Sequence, residues 1–230
     1  MQDNIEQMLF DDTVLKNILE ELNHLKLNPK DYITIANHLL DLALNKSTIS
    51  PSEPIISSNK KVNLPIDLDD ISIRKFNRSK DAALLTEWTN NDYGREFLLS
   101  RIDNREITVS DILNDELNIF GIIEADDKIP IGVLGYLNYD KINNKSELRK
   151  LIGNKNYTGK GIAKKATNAW ISYGITSLNL RKIYIYTYET NLSNIRINRE
   201  LGFNLEGILK AENIYNGEAK DIVRMALIAK

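Results

Sequence analysis

The sequence predicts an α/β fold, a mixed sheet flanked by helices, with a small helical hairpin ahead of it. Three observations carry this. Two apolar stripes at helical spacing open the chain, a stretch without periodicity follows them, and from residue 71 onward β-branched runs of strand length alternate with helical patterns. In the first stripe Val14, Leu15, Ile18, Leu19, Leu22 and Leu25 share a face, and Asp12 is placed to cap the helix. Asn28-Pro29 restarts the pattern as cap and first helical residue, and Tyr32, Ile35, Ala36, Leu39, Leu40 and Ala43 form the second stripe. A hairpin over residues 1–46 is too short to hold a core alone, since units below ~40 residues usually need metals, disulfides or a partner surface. It is expected to be a dimerisation or docking element, giving a homodimer, or a flap over a substrate pocket.

Pro51, Pro54 and Pro65, with several serines and no periodicity, mark 47–69 as a linker. The main domain is then expected over 70–230. Its elements read in order as a strand over 71–76, a helix over 81–90 containing Leu84, Leu85 and Trp88, and a short helix over 108–114. Strands at 117–124 and 131–139 flank Asp126-Asp127-Lys128, a hairpin signal. A strand over 146–152, a helix over 159–177, an alternating strand over 182–188 and a helix over 193–201 follow. Strands near 205–211 and 221–229 close the chain.

Composition excludes several chemistries. With 42% hydrophobic and 27% charged residues the chain is globular, and 30 basic residues against 32 acidic ones leave no global field for nucleic acid or anionic lipid. The absence of cysteine removes disulfides, thiolate metal sites and cysteine nucleophiles. Only His24 and His38 are present, both on the hairpin, where they read as helix-surface residues; no metal centre is expected. The N-terminus is acidic where a signal peptide is basic, and no apolar run nears the ~20 residues of a membrane span, so a cytoplasmic protein without membrane contact is expected.

The informative run is Leu148 through Lys164: a strand, a turn carrying Gly153, Gly159 and Gly161, and a helix starting at once. Such a turn brings backbone close to a ligand and aims free amides and the positive end of the helix dipole at it, which is how phosphate is held. Lys155, Lys160, Lys164 and Lys165 add local positive charge. The nucleotide P-loop fails because Gly153 is one residue too far from Gly159-Lys160 and Gly161 replaces the magnesium-binding Ser or Thr. The dinucleotide fingerprint fails because Lys164 occupies the third-glycine place.

Asn156, Gly159 and Gly161 at this turn, with Asn191 just after the next strand and Leu201-Gly202-Phe203 ending the next helix, resemble the pyrophosphate loop and flanks of the GNAT superfamily of N-acetyltransferases. Asn156 stands where that pattern has Arg or Gln. Glu206-Gly207, Asn216-Gly217 and Asp221 look like the tail of the branch that acetylates ribosomal-protein N-termini and amino sugars. The resemblance implies a mostly antiparallel sheet and acetyl-coenzyme A as cosubstrate, lying where the strands of Glu147 and Tyr184 splay apart. It implies that backbone at Leu151 and Ile152 pairs with the pantetheine arm, that Asn191 and Asn194 contact it from the other side, and that Asn156, Thr158, Gly159, Lys160, Gly161, Ile162 and Ala163 hold the pyrophosphate. Glu147 occupies the place of the family's base. Asn198 stands where many relatives carry a tyrosine acid, which leaves Tyr188, Ser193 or solvent to protonate the thiolate.

The acceptor implied is a primary amine, on a small molecule such as an amino sugar or on a protein N-terminus. Its specificity is expected from residues 91–105 and 215–220. The alternative reading is a non-catalytic acyl-coenzyme-A sensor or interaction protein, motivated by Asn194 and Asn198.

Overall fold

The computed structural model describes residues 12–43, 61–90, 94, 108–215 and 217–229, and the chain divides into two compact units, Met1–Ser47 and Thr48–Lys230. In the first unit, α1 (Asp12–His24) and α2 (Pro29–Ala43) are the two expected helices. Asp12 is the first residue of α1 rather than its cap. Asn28 caps as expected: its Oδ1 accepts the Asp31 amide at 3.3 Å, and the Asp31 carboxylate accepts the Asn28 amide at 2.9 Å. His24 and His38 are exposed.

The second unit is an eight-stranded sheet in the order β1-β2-β3-β4-β5-β6-β8-β7. The strands are β1 (Ile66–Leu68), β2 (Ile71–Lys75), β3 (Ile119–Ala125), β4 (Pro130–Asp140), β5 (Lys145–Ile152), β6 (Lys182–Tyr188), β7 (Asn204–Tyr215) and β8 (Glu218–Ile228). Every pairing is antiparallel except β5 with β6. The helices among the described residues include α3 (Arg78–Thr89), α4 (Val109–Asn114), α5 (Ile162–Ser177) and α6 (Leu192–Glu200).

Side-chain alternation splits the sheet into two buried faces. On one, Phe120, Ile122, Val133, Leu137 and Leu151 pack with Leu85 and Trp88 of α3 and Val109 and Ile112 of α4. On the other, Tyr136 stacks on Trp170 of α5 at 5.4 Å and donates its hydroxyl to the Trp170 carbonyl at 2.8 Å. That approach requires Gly174, where a Cβ would sit 2.2 Å from the Tyr136 hydroxyl.

Three expectations change. The end of the expected linker is structured: β1 pairs with β2, the Val62 amide donates to Thr176 Oγ1 at 3.0 Å, and Ser177 Oγ donates to the Val62 carbonyl. Helix α3 starts at Arg78, not Asp81, because Asn77 caps it by accepting the Ser79 amide. Helix α5 starts at Ile162, not Gly159, because Gly159 and Gly161 hold φ of 74° and 77°, outside helical space, and residues 155–157 form a separate 3-10 turn.

Candidate active site

Strands β5 and β6 pair only from Lys145 to Glu147 on one side and Lys182 to Tyr184 on the other. Beyond that point they part. Backbone groups of residues 148–152 that face β6 therefore have no strand partner, and a cleft of about 220 Å³ opens between the strands. Residues 148–152, residues 185–188, Ala163 of α5 and one side of α6 line it. Leu151 and Ile152 lie on its wall, as expected.

At the cleft's end the chain enters the glycine turn. The amides of Asn156, Tyr157 and Thr158 bond within the turn, to Asn154 Oδ1, the Asn154 carbonyl and the Lys155 carbonyl. The expected cup is thus narrower than the sequence reading: it begins at Gly159 and continues through Lys160, Gly161, Ile162 and Ala163, where the first-turn amides of α5 have no intrahelical acceptor. A Cβ on Gly159 or Gly161 would meet nothing within 4 Å, so both glycines border open space. The lysines are less available than the sequence implied. Lys164 pairs with Glu200 at 2.7 Å and Lys165 with Asp70, while Lys160 sits 5.2 Å over the Tyr157 ring and, like Lys155, pairs with no described acid.

Glu147 is fully buried on β5 and accepts a hydrogen bond from Arg149 Nε, two residues along on the same face. That face is the one α3 and α4 cover, because Glu147 pairs with Leu137 and Arg149 with Gly135 in the β4 register. Tyr188 is buried and lines the cleft; Ser193 is exposed at its mouth in the first turn of α6. Of the three residues expected to share the chemistry, Tyr188 and Ser193 line the cleft and Glu147 is not among its lining residues. Glu147, Tyr184 and Tyr188 share a face by alternation, whereas α6 is tied to the other face through Thr187.

Asn191 caps α6, its Oδ1 accepting the Asn194 amide at 3.1 Å. Asn194 Nδ2 donates to Thr187 Oγ1 at 3.1 Å, and its Oδ1 accepts from Asn198 Nδ2 at 3.2 Å. These carbonyl oxygens are occupied by the protein itself, which reduces what either asparagine can give a ligand. Sequence reasoning passed over the next member of this chain: Lys150, whose Nζ donates to Asn198 Oδ1. Burial pulls the Lys150 ammonium down to about 7. The available signal was a lysine between Leu148 and Ile152 on a face otherwise apolar. Residues 91–105, expected to shape the acceptor pocket, lie outside the described residues save Gly94.

A split parallel pair opening onto a glycine turn and a helix N-terminus is the arrangement that the resemblance to N-acetyltransferases implied. The model of the Acetyltransferase (GNAT) domain family matches residues 67–204, more than half the chain, and the protein belongs to that family. It is an acetyl-coenzyme-A-dependent N-acetyltransferase, which sets aside the sensor alternative. Among relatives, the chain is 28% identical over 147 residues to the spermidine N(1)-acetyltransferase of Escherichia coli K12, covering 64% of this chain and 75% of that one. It is 31% identical over 118 residues to an uncharacterized N-acetyltransferase, p20, of Bacillus licheniformis, covering 51% and 66%. Among solved structures, the Vibrio cholerae spermidine N-acetyltransferase in complex with CoA and spermine superposes with a TM-score of 0.60 at 24% identity, covering 70% of this chain and 96% of that one. A dodecameric structure of that enzyme gives 0.60 at 23%, covering 70% and 95%. The Escherichia coli and Vibrio cholerae proteins carry polyamine names, and p20 names no substrate. No described helix is long and apolar enough to cross a membrane.

Proposed function

We propose that the protein acetylates a primary amine of a small polycation of the polyamine class, and that Glu147 is its base. The names of the curated relatives support a small-molecule amine over a protein N-terminus. The observation that supports the site assignment is the parting of β5 from β6 directly after Glu147 and Tyr184, so that Glu147 is the residue before the wall of the cleft begins at Leu148.

Acetyl-coenzyme A, when bound, supplies an acyl group activated as a thioester. The backbone of residues 148–152 that faces β6, without a strand partner on that side, suits the amide-bearing arm, and the amides from Gly159 to Ala163 suit the diphosphate. Glu147 takes the proton that the amine nitrogen gives up, directly or through one water. Arg149 Nε fixes the orientation of that carboxylate.

The test is release of free thiol from acetyl-coenzyme A with spermidine, spermine, an amino sugar and a short peptide, for the wild type and Glu147→Gln. The polyamines should give the highest kcat/KM, and Glu147→Gln should lower kcat by about 10²-fold or more with coenzyme affinity kept. Faster turnover of the peptide or the sugar would overturn the acceptor class, and an unchanged kcat in Glu147→Gln would overturn the base.

A further inference from the structure

We infer that Lys150 is the proton donor to the coenzyme-A thiolate as it leaves. This rests on the reading of the β5–β6 cleft as the acetyl-coenzyme-A site, and goes beyond it by assigning the acid.

The placement of Lys150 is the first reason. Successive residues of a strand point to opposite faces, so Glu147 and Lys150, three apart, lie on opposite faces of β5. Glu147 faces the side covered by α3 and α4. Lys150 pairs in register with Leu134 and reaches α6 on the other side. Lys150 lines the cleft itself, whereas Glu147 lies on the other face just before the cleft begins, so the two roles fall to separate groups.

The second reason is the surroundings. The wall near the half-buried Lys150 is Leu134, Leu148, Ile152 and Ile123, a setting in which a leucine or methionine would fill the same volume without the cost of partly desolvating an amine. The partner of Nζ is a neutral amide, Asn198 Oδ1, and not a carboxylate that would pin the ammonium. The chain from Asn198 through Asn194 to Thr187 fixes that amide and with it the position of Nζ. The other polar side chains lining the cleft are Arg149 of β5, Tyr186, Thr187 and Tyr188 of β6, and Asn191, Ser193, Asn194 and Asn198 at and along α6; α5 contributes Ala163. Arg149 is paired with Glu147 on the opposite face of β5. Lys164 and Glu200 neutralise each other. No carboxylate lines the cleft to hold the proton on Lys150, and burial lowers its affinity for it to the neutral range.

The step balances simply. The carbon–sulfur bond breaks with its electron pair left on sulfur, an Nζ–H proton passes to that sulfur, and the products are a free thiol and a neutral Lys150 amine. Water returns a proton to Nζ before the next turnover.

The test uses the full chain with Lys150→Met and Lys150→Arg. Calorimetry with coenzyme A first establishes binding. The Lys150 titration is then followed by NMR of labelled lysine in the coenzyme-free protein, and kcat is measured from pH 6 to 9, a range of about one unit below and two above that midpoint. The wild type should bind coenzyme A, titrate at Nζ near neutrality, and lose kcat as pH rises beyond that midpoint. Lys150→Met should bind as tightly, lose about 10²-fold in kcat, and lack the alkaline fall. Lys150→Arg, which keeps the charge but does not release its proton in this range, should show the same loss and serves if the methionine variant does not fold. A pH profile and kcat unchanged in both variants, or a lysine titrating at its ordinary value, would overturn the inference while leaving acetyl transfer intact. Absence of coenzyme binding by the wild type would instead overturn the cleft assignment and the inference with it.

Discussion

Asp81 is a buried carboxylate outside the cleft. It is almost fully buried and accepts the Asn77 amide at 2.7 Å and both terminal nitrogens of Arg74 at 2.7 and 2.8 Å, while Arg74 Nε donates to Glu124 at 2.7 Å. Burial pushes the Asp81 pKa up, but the Arg74 fork and the Asn77 amide outweigh it and the net value falls below the ordinary one. A lowered carboxyl pKa contributes stability that is fully present above the unfolded value near ~3.9 and is lost as pH falls through the folded value. Asp81→Asn should therefore lower stability at neutral pH by about 3 kcal/mol, the low end for a broken buried pair because Arg74 is partly exposed. It should also flatten the loss of stability below pH ~4, which denaturant titrations across that range would measure. Equal acid slopes in the two proteins would contradict this role. In the sequence Asp81 looked only like a helix start, because its charged partner Arg74 lies on β2, across the turn into α3. Glu147 was legible by position, but its tie to Arg149 was not.

At the scale of elements, legibility followed the apolar pattern. Strand β6 falls at Lys182–Tyr188 as expected because its buried positions alternate cleanly. Strands β7 and β8 run longer than expected, to Tyr215 and from Glu218, because much of that hairpin is exposed or half-buried and is held by backbone pairing and surface pairs such as Lys210 with Asp221. The turn before α5 was legible as a ligand loop, and its detail came from two glycines with positive φ. At Gly161 an alanine meets no neighbour, so its cost is backbone strain, about 1–2 kcal/mol. Its methyl group also enters the space bordered by the α5 amides. Gly161→Ala should stay folded, raise the KM for acetyl-coenzyme A about tenfold, and leave the acceptor KM unchanged. A rise in the acceptor KM alone would move the diphosphate site elsewhere.

The whole chain is a catalytic unit preceded by a helical one, and the point where the first begins is set by contacts that composition hid. Prolines and serines made 47–69 look like a linker, yet Val62 bonds α5 through both its amide and its carbonyl, and Ile66, Asp67 and Leu68 add an edge strand to β2. Deleting residues 1–60 removes none of these bonds, whereas deleting 1–69 removes the two Val62 bonds and β1 together. At about 1 kcal/mol for each net hydrogen bond, plus the half-buried Ile66 and Leu68, the second deletion should cost several kcal/mol more than the first. The chain starting at residue 61 should melt cooperatively and bind coenzyme A as the full protein does, and the chain starting at 70 should melt at least 5 °C lower. Comparing solution mass and turnover of the full chain with the first truncation separates the two roles open to the hairpin. Loss of a dimer with kcat/KM retained makes it an assembly element; loss of kcat/KM at unchanged mass makes it part of the acceptor pocket.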